Sequence, residues 1–159
     1  MPLTAADIMT KDVRTVRPDN TIAQIARLLS DSGISAAPVC DKDGRLLGMV
    51  SEGDLLRPVG KELAEKRAWW LNLLADGTDL SPAFLETIRV GNRLARDLMV
   101  TPVITAPPDT SVLVIADMLV HHRVKRLPIV RDGKLVGIVS RADLVRALAR
   151  RPDAVTDAI

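Results

Sequence analysis

Two serine–aspartate pairs, Ser51 with Asp54 and Ser140 with Asp143, have residue types and a spacing that could bind a ligand. Each pair follows an apolar run that predicts a strand, at the point where a helix should begin. The free N–H groups and the positive dipole end of a helix start suit a phosphate, and the serine hydroxyl can add a donor. The aspartate would repel phosphate but could accept hydrogen bonds from two neighbouring ribose hydroxyls. Each pair therefore favours a nucleotide over an inorganic anion.

The same spacing also has a purely structural interpretation. A serine followed three residues later by an acidic residue is an ordinary capping box, in which each side chain satisfies a backbone N–H group at the helix start. One pair alone does not separate capping from ligand binding. The recurrence of the pair favours ligand binding only if the two copies have a common function.

The two pairs belong to a repeat that covers Asp7 to Leu56 and Asp97 to Val145. The residues that open the first copy return in the same order in the second: Asp7, Met9, Val13, Thr15, Pro18, Ile25, Leu29 and Pro38 become Asp97, Met99, Val103, Thr105, Pro108, Ile115, Leu119 and Pro128. Two copies of about 50 residues are too long and too few for a solenoid. We therefore expect the copies to pack face to face as one pseudo-symmetric domain.

Each copy has the pattern β-α-β-β-α, which predicts an α/β (α+β) fold. In the first copy, Thr21 and Gln24 have the spacing of a capping box, and Gly33 is placed to end the helix in the left-handed conformation. Two apolar strands follow, over 37–40 and 46–50, and the turn residues Asp43-Gly44 join them. The second copy repeats these strands over 127–130 and 135–139. Strands this apolar should be covered on both faces.

Between the copies lies a segment that neither copy duplicates. It predicts two helices, because 61–75 is helix-forming throughout and Ser81-Pro82 is typical of a second helix start. We expect three regions: repeat 1 over 1–56, a helical insert over 57–94, and repeat 2 with a C-terminal tail over 95–159. Trp69, Trp70 and their leucine neighbours cover more than one face of the first helix, so either the repeats or a second subunit should bury them.

Composition excludes several classes of protein. The chain has 159 residues, a formal net charge of +2 with both signs mixed throughout, and one cysteine, Cys40. These values argue against an intramolecular disulfide and against a nucleic-acid footprint over a whole face. The sequence shows neither a leader's apolar stretch nor a run of about 18 apolar residues, so we expect a cytoplasmic protein.

Catalysis and metal binding have no specific support in the sequence. No histidine lies in a nucleophile motif, and no glycine-rich loop of the Walker type is present, so we expect no enzymatic activity. His121 and His122 are neighbours on a predicted helix and point about 100° apart, which disfavours a shared metal ion. We expect no metal and no obligatory cofactor.

The repeated segments resemble a tandem pair of cystathionine β-synthase (CBS) domains, known as a Bateman module. The matching stretches are DIMTKDVRTVRPDNTI, SGISAAPVCDKDGRLLGMVSEGDLL, DLMVTPVITAPPDTSV and HHRVKRLPIVRDGKLVGIVSRADLV. The resemblance covers most of the chain outside 57–93. It implies clefts between the copies that bind adenine nucleotides or adenosyl ligands and report them to a partner, without catalysis. It also implies a homodimer.

The resemblance further implies a role for particular residues. It places both serine–aspartate pairs at phosphate and ribose, Ile34, Ser35 and Ala36 around the base, and Lys125 and Arg126 over phosphates. The expected ligand-binding set is Ile34, Ser35, Ala36, Ser51, Asp54, Lys125, Arg126, Pro128, Ser140 and Asp143. Because Ser35-Ala36 is nearly neutral and Lys125-Arg126 is cationic, we expect one cleft to prefer more phosphate than the other.

The leading functional hypothesis is therefore a regulatory sensor that binds AMP, ADP or ATP. A first alternative is a protein-interaction or structural module with empty clefts, which acts through its helical insert. A second is a nucleic-acid-binding regulator that uses Arg89, Arg93 and Arg96. Ligand-induced stabilisation separates the sensor from the interaction module, and a steep salt dependence would identify the nucleic-acid regulator.

Overall fold

The computed structural model describes residues 3–56 and 93–153. The predicted helical insert, with Trp69 and Trp70, lies almost wholly outside the described residues and stays a prediction. The boundaries of the three regions stay predictions as well. Among the described residues, no helix has the length and apolar character that crossing a membrane requires.

The described elements occur in the same order in both repeats. The first repeat contains α1 (Ala5–Ile8), α2 (Ile22–Ser32), β1 (Ala36–Cys40), β2 (Leu46–Ser51) and the helical residues 52–56 (α3). The second repeat contains α4 (Ala95–Leu98), α5 (Val112–His121), β3 (Arg126–Arg131), β4 (Lys134–Ser140) and α6 (Arg141–Arg150). This mixed α/β arrangement confirms the predicted fold class.

Local sequence signals fix both ends of α2. The Thr21 hydroxyl accepts from the Gln24 N–H (3.2 Å), and the Gln24 side chain accepts from the Thr21 N–H (2.9 Å). Gly33 ends the helix with φ 63° and ψ 34°, a left-handed conformation that glycine adopts without strain. The predicted capping box and helix stop are both confirmed.

Each repeat forms one antiparallel hairpin, β1 with β2 and β3 with β4. The turn glycines Gly44 and Gly133 have φ of 84° and 80°, and Asp132 also has a positive φ of 53°. The two hairpin tips meet across the repeats, because the Leu46 N–H donates to the Gly133 carbonyl (3.2 Å) and the Leu135 N–H donates to the Gly44 carbonyl (3.0 Å). Each turn thus connects the two strands of its own hairpin and also hydrogen-bonds to the hairpin of the other repeat.

The strand predicted at the opening of each copy is reduced to a single parallel bridge. Val16 pairs with Val39, and its N–H donates to the Pro38 carbonyl (2.9 Å). One more parallel step would need an N–H group from Pro38, which proline lacks. Pro128 limits the equivalent pairing at Ala106 in the second repeat in the same way. The β-rich runs therefore lie against the sheets without forming full strands.

The first short helix of each repeat packs on the opposite repeat. The Ala5 N–H donates to the Thr110 carbonyl (2.8 Å), and the Ala95 N–H donates to the Asn20 carbonyl (2.8 Å). Antiparallel bridges continue the exchange, from Thr10 to Ile138 and from Val100 to Met49. Each packed half thus combines most of one sequence repeat with the opening segment of the other.

The two larger hydrophobic cores of the described residues reflect this exchange. One contains Val16, Ile25, Leu29, Ala37, Val39, Val50 and Leu55 together with Ala95. The other contains Ala106, Ile115, Leu119, Leu127, Ile129 and Val139 together with Ala5. Truncating a fully buried isoleucine in such a core costs about 2–5 kcal/mol. Burial of these side chains fixes the two repeats against each other, and the candidate site lies between them.

Candidate functional site

A cleft of about 350 Å³ lies between the repeats, and we call it the inter-repeat cleft. Its lining residues come from both repeats: Thr10, Asp12, Val13, Arg14, Gly33, Ile34, Ser35, Ala36 and Pro38 from the first, and Arg126, Ile138, Ser140 and Asp143 from the second. The site therefore depends on the packing of the two repeats. Six of the ten residues in the expected set line it: Ile34, Ser35, Ala36, Arg126, Ser140 and Asp143.

Ser140 and Asp143 sit at the start of α6 and form a complete capping box. The Ser140 N–H and hydroxyl both donate to Asp143 Oδ2 (2.8 and 3.0 Å), and the Asp143 N–H donates to the Ser140 hydroxyl (3.3 Å). Asp143 is only 5% exposed. The structural interpretation of this pair is thus realised, and the pair also faces the inter-repeat cleft.

The second carboxylate oxygen of Asp143 accepts a hydrogen bond from Arg146 Nη2, one helical turn further along α6. A carboxylate has about four lone-pair positions, two on each oxygen. Oδ2 is fully used by Ser140, and Oδ1 retains one open position. Asp143 therefore has acceptor capacity for one hydroxyl while its capping box and its contact with Arg146 persist.

Ser51 and Asp54 repeat this geometry at the start of α3. The Ser51 N–H and hydroxyl donate to Asp54 Oδ2 (2.8 and 3.0 Å), and the Asp54 N–H donates to the Ser51 hydroxyl (3.4 Å). Asp54 is 6% exposed. Neither residue lines the inter-repeat cleft, so the structure places the two predicted pairs at separate, symmetry-related positions.

The two predicted cations, Lys125 and Arg126, have different surroundings. Arg126 is half-buried and reaches across the repeats, where its Nη2 donates to the Ser35 hydroxyl (2.7 Å). Burial lowers the pKa of Arg126, and the nearby Glu52 carboxylate acts in the opposite direction. Lys125 is exposed and lies outside the lining of the cleft. Of the two predicted cations, Arg126 alone therefore lines the inter-repeat cleft.

Backbone contacts fix the walls beside these side chains. The Glu52 N–H donates to the Ser35 carbonyl (2.9 Å), and the Arg141 N–H donates to the Lys125 carbonyl (3.3 Å). Pro128 is fully buried in β3 opposite Ile138, and it does not line the inter-repeat cleft. Each helix start is thus tied to the strand entry of its own repeat.

Sequence reasoning did not identify Thr10, Asp12 and Arg14 as cleft residues. They line the cleft because the opening segment of repeat 1 crosses to β4, where Thr10 pairs with Ile138. A repeat alignment does not reveal such an exchange. Arg146 was also missed, although its spacing of three from Asp143 is the helical spacing at which side chains meet.

The structure also gives the surroundings of the histidine pair and of the cysteine. His121 and His122 have perpendicular rings with centroids 4.9 Å apart. Within residues 3–56 and 93–153, no group of three or more histidine, cysteine or acidic side chains could hold a metal ion. Burial raises the pKa of the Cys40 thiol to about 11, and this favours the unreactive protonated form.

Comparisons with known proteins agree on one family. The family model for the CBS domain matches residues 5–61 and 95–150. An uncharacterized protein of Methanocaldococcus jannaschii, MJ1426, is 36% identical over 155 residues, which cover 89% of each chain. No relative's function follows from this match alone.

Solved structures show the same arrangement. The CBS domain of a CBS domain containing membrane protein from Sphaerobacter thermophilus is 35% identical, with a TM-score of 0.67 over 91% of this chain and 87% of that chain. CBSX2 of Arabidopsis thaliana, solved in complex with AMP, is 27% identical, with a TM-score of 0.70 over 93% and 97%.

Proposed function

Because the chain belongs to the CBS domain family and contains a tandem pair of these domains, we propose that it is a regulatory module that binds an adenine nucleotide in the inter-repeat cleft. One observation carries the proposal. Asp143 and Ser140 from one repeat meet the apolar wall of the other repeat in a single cavity, with Arg126 beside them. The AMP complex of CBSX2 supports the ligand class. No residue is assigned a catalytic role.

Each part of the cleft matches one part of a nucleotide. Ile34, Ala36 and Ile138 provide aliphatic surface for the base, and Asp143 accepts from the ribose. Arg126 can leave the Ser35 hydroxyl for the stronger charge-assisted bond to a phosphate. The volume of about 350 Å³ lies in the usual range for small-molecule sites.

The other predicted residues would form a second, symmetry-related cleft. Ser51 and Asp54 correspond to Ser140 and Asp143, and Lys125 and Pro128 belong to the repeat that would face them. The two clefts would differ in charge because Ser35 stands where the second repeat has Lys125. We expect AMP, ADP and ATP to fill the two clefts unequally.

The first prediction is that AMP, ADP or ATP stabilises the protein and that Asp143→Ala weakens this binding. At about 100 times its Kd, a ligand adds roughly 2.7 kcal/mol to the free energy of unfolding, or about 5–10 °C in Tm. Differential scanning fluorimetry measures the shift, and isothermal titration measures Kd. Asp143→Asn, which keeps an acceptor for the Ser140 N–H, separates ligand binding from capping.

Asp109→Ala is the matched control, because Asp109 is an exposed carboxylate outside the cleft. It should leave Kd unchanged. If Asp143 only caps α6, its loss will lower stability by about 1 kcal/mol and leave the nucleotide Kd unaltered. If millimolar adenine nucleotides leave Tm unchanged, the sensor proposal is wrong and the interaction-module alternative gains support.

A further inference from the structure

A second cavity, of about 510 Å³, adjoins the inter-repeat cleft and shares Thr10 and Asp143 with it. It lies between α1 and the second half of α6. Three guanidinium groups line it, those of Arg146, Arg150 and Arg151. We call it the arginine cavity.

The helical spacing of α6 explains why these groups gather there. Positions 143, 146, 147 and 150 lie on one face of the helix, and Ala147 at the centre of that face is small and buried. The negative end of the helix dipole stabilises cations in the last turn. Within the described part of the chain, the side chains of Arg150 and Arg151 make no hydrogen bond or ion pair. Among the residues that the structure describes, these two guanidinium groups therefore have no anionic partner.

The arginine cavity has two carboxylates, those of Asp7 and Asp143, against three guanidinium groups, so it keeps a net positive charge. Asp7 Oδ2 accepts from the Thr4 N–H (2.8 Å) and the Thr4 hydroxyl (3.1 Å), which caps α1. Asp143 is held by Ser140 and Arg146. An oxyanion with several acceptor atoms would satisfy Arg150 and Arg151 through bidentate, charge-assisted bonds.

Arg146 connects this cavity to the inter-repeat cleft. Its side chain is 58% exposed, so it can move with little loss of packing. While it is bound to Asp143 Oδ1, that carboxylate has one open acceptor position, whereas a ribose diol presents two hydroxyls. An anion between the three arginines would attract Arg146 and release Oδ1.

We propose that the arginine cavity binds a phosphate oxyanion and that this anion draws Arg146 away from Asp143, which frees the carboxylate for a ribose. The coupling rests on the proposed function, but the anion site does not. The phosphate is either inorganic phosphate or a phosphate group of the nucleotide in the cleft. Anion binding and nucleoside binding strengthen each other equally, as linkage requires.

The test uses the full chain and adenosine, which carries no phosphate of its own. Inorganic phosphate at about ten times its Kd should raise Tm by about 3–6 °C above a sodium chloride control of equal ionic strength. It should also lower the Kd of adenosine at least about fivefold. No shift beyond the chloride control, or an unchanged adenosine Kd, would overturn the proposal.

Three variants locate the effect. Arg150→Gln with Arg151→Gln should abolish the phosphate shift, whereas Arg141→Gln should leave it intact, because Arg141 is an exposed arginine of the same helix outside both cavities. Arg146→Ala should tighten adenosine binding without phosphate, and phosphate should then no longer change the Kd of adenosine, although the Tm shift through Arg150 and Arg151 remains. If phosphate still lowers the Kd of adenosine in Arg146→Ala, the proposed coupling is wrong.

AMP distinguishes the two sources of phosphate. If the phosphate of AMP itself occupies the arginine cavity, free phosphate will compete with AMP, and the Arg150→Gln, Arg151→Gln variant will bind AMP more weakly. If the anion is inorganic phosphate, it will strengthen AMP binding as it does adenosine binding. The protein could also show a phosphate shift that requires Arg150 and Arg151 and yet bind no adenine ligand. That result would support the anion site and contradict the proposed nucleotide function.

Discussion

The serine and the aspartate of each pair stabilise a helix start in the absence of any ligand. Ser140 and Asp143 satisfy each other's backbone N–H groups, and Ser51 and Asp54 do the same. Capping and ligand binding are therefore compatible at the residue scale, because the second carboxylate oxygen of Asp143 is not needed for the cap. If the inter-repeat cleft binds a nucleotide as proposed, a substitution at Asp143 should have two separable effects, one on stability and one on affinity.

At the same scale, the adjacent cations Arg126 and Lys125 differ in their surroundings. Arg126 reaches Ser35 in the cleft, and Lys125 is exposed outside it. We expect Arg126→Ala to raise the Kd of ATP by about tenfold or more, because a hydrogen bond to a charged group contributes about 1.5–3 kcal/mol. The Kd of adenosine should change little. Titration calorimetry checks this, with Lys134→Ala as the control, because Lys134 is an exposed lysine outside the cleft. An equal loss in Lys134→Ala would argue for a diffuse electrostatic effect.

At the scale of elements, the exchanged segments α1 and α4 hold the repeats together. Met9 follows α1 and packs on Gly137 of β4, and Met99 follows α4 and packs on Gly48 of β2. A Cβ atom at Gly137 would lie 2.7 Å from Met9 Cγ and 3.0 Å from the backbone oxygen of Thr10. The glycine that precedes each serine–aspartate pair thus admits a neighbour from the other repeat.

Gly137→Ala should therefore destabilise the protein by about 1–3 kcal/mol, the usual effect of overpacking a core. Gly53→Ala is the control, because a Cβ atom there meets only the Ser51 hydroxyl at 3.7 Å, and alanine favours the helix. Urea unfolding measures both. Adding Met9→Ala to Gly137→Ala should recover part of the lost stability, because it removes the side chain that the new Cβ atom meets. If Gly137→Ala is as stable as the unmodified protein, the Met9 contact adjusts without cost and the prediction is wrong.

The sequence was sufficient to predict elements that depend on local signals. The Thr21–Gln24 cap, the stop at Gly33 and both hairpin turns rest on neighbouring residues, so a pattern reveals them. Contacts between distant segments could not be read in this way. The crossing of Thr10 to Ile138 and the reach of Arg126 to Ser35 depend on how the repeats pack. For the candidate site, the sequence therefore indicated which residue types could bind a ligand. It did not indicate which of these residues line the same cleft.

At the scale of the whole molecule, several large apolar side chains of α5 and α6 are exposed to solvent. Val114 and Val120 of α5 are 50% and 77% exposed, and Val145 and Leu148 of α6 are 64% and 47% exposed. On α6, these two residues lie on the side opposite Asp143 and Ala147, given the helical period. Exposed apolar side chains on neighbouring helices are typical of a subunit contact, whereas the inter-repeat cleft and the arginine cavity lie on the other face of α6.

We therefore expect a homodimer that uses the exposed faces of α5 and α6. Val120→Lys together with Val145→Lys would place two charges in a desolvated interface, which is strongly unfavourable. In a monomer both side chains would lie in solvent, so the double variant should still fold. Multi-angle light scattering at micromolar concentration should give twice the chain mass for the unmodified protein and the single mass for the double variant, with unchanged circular dichroism.

Leu47→Lys, at an exposed residue of β2, is the control and should remain dimeric. A dimer that survives both lysines would move the interface to another surface, and Trp70→Ala would then test the predicted insert. A monomer mass for the unmodified protein would contradict the homodimer itself.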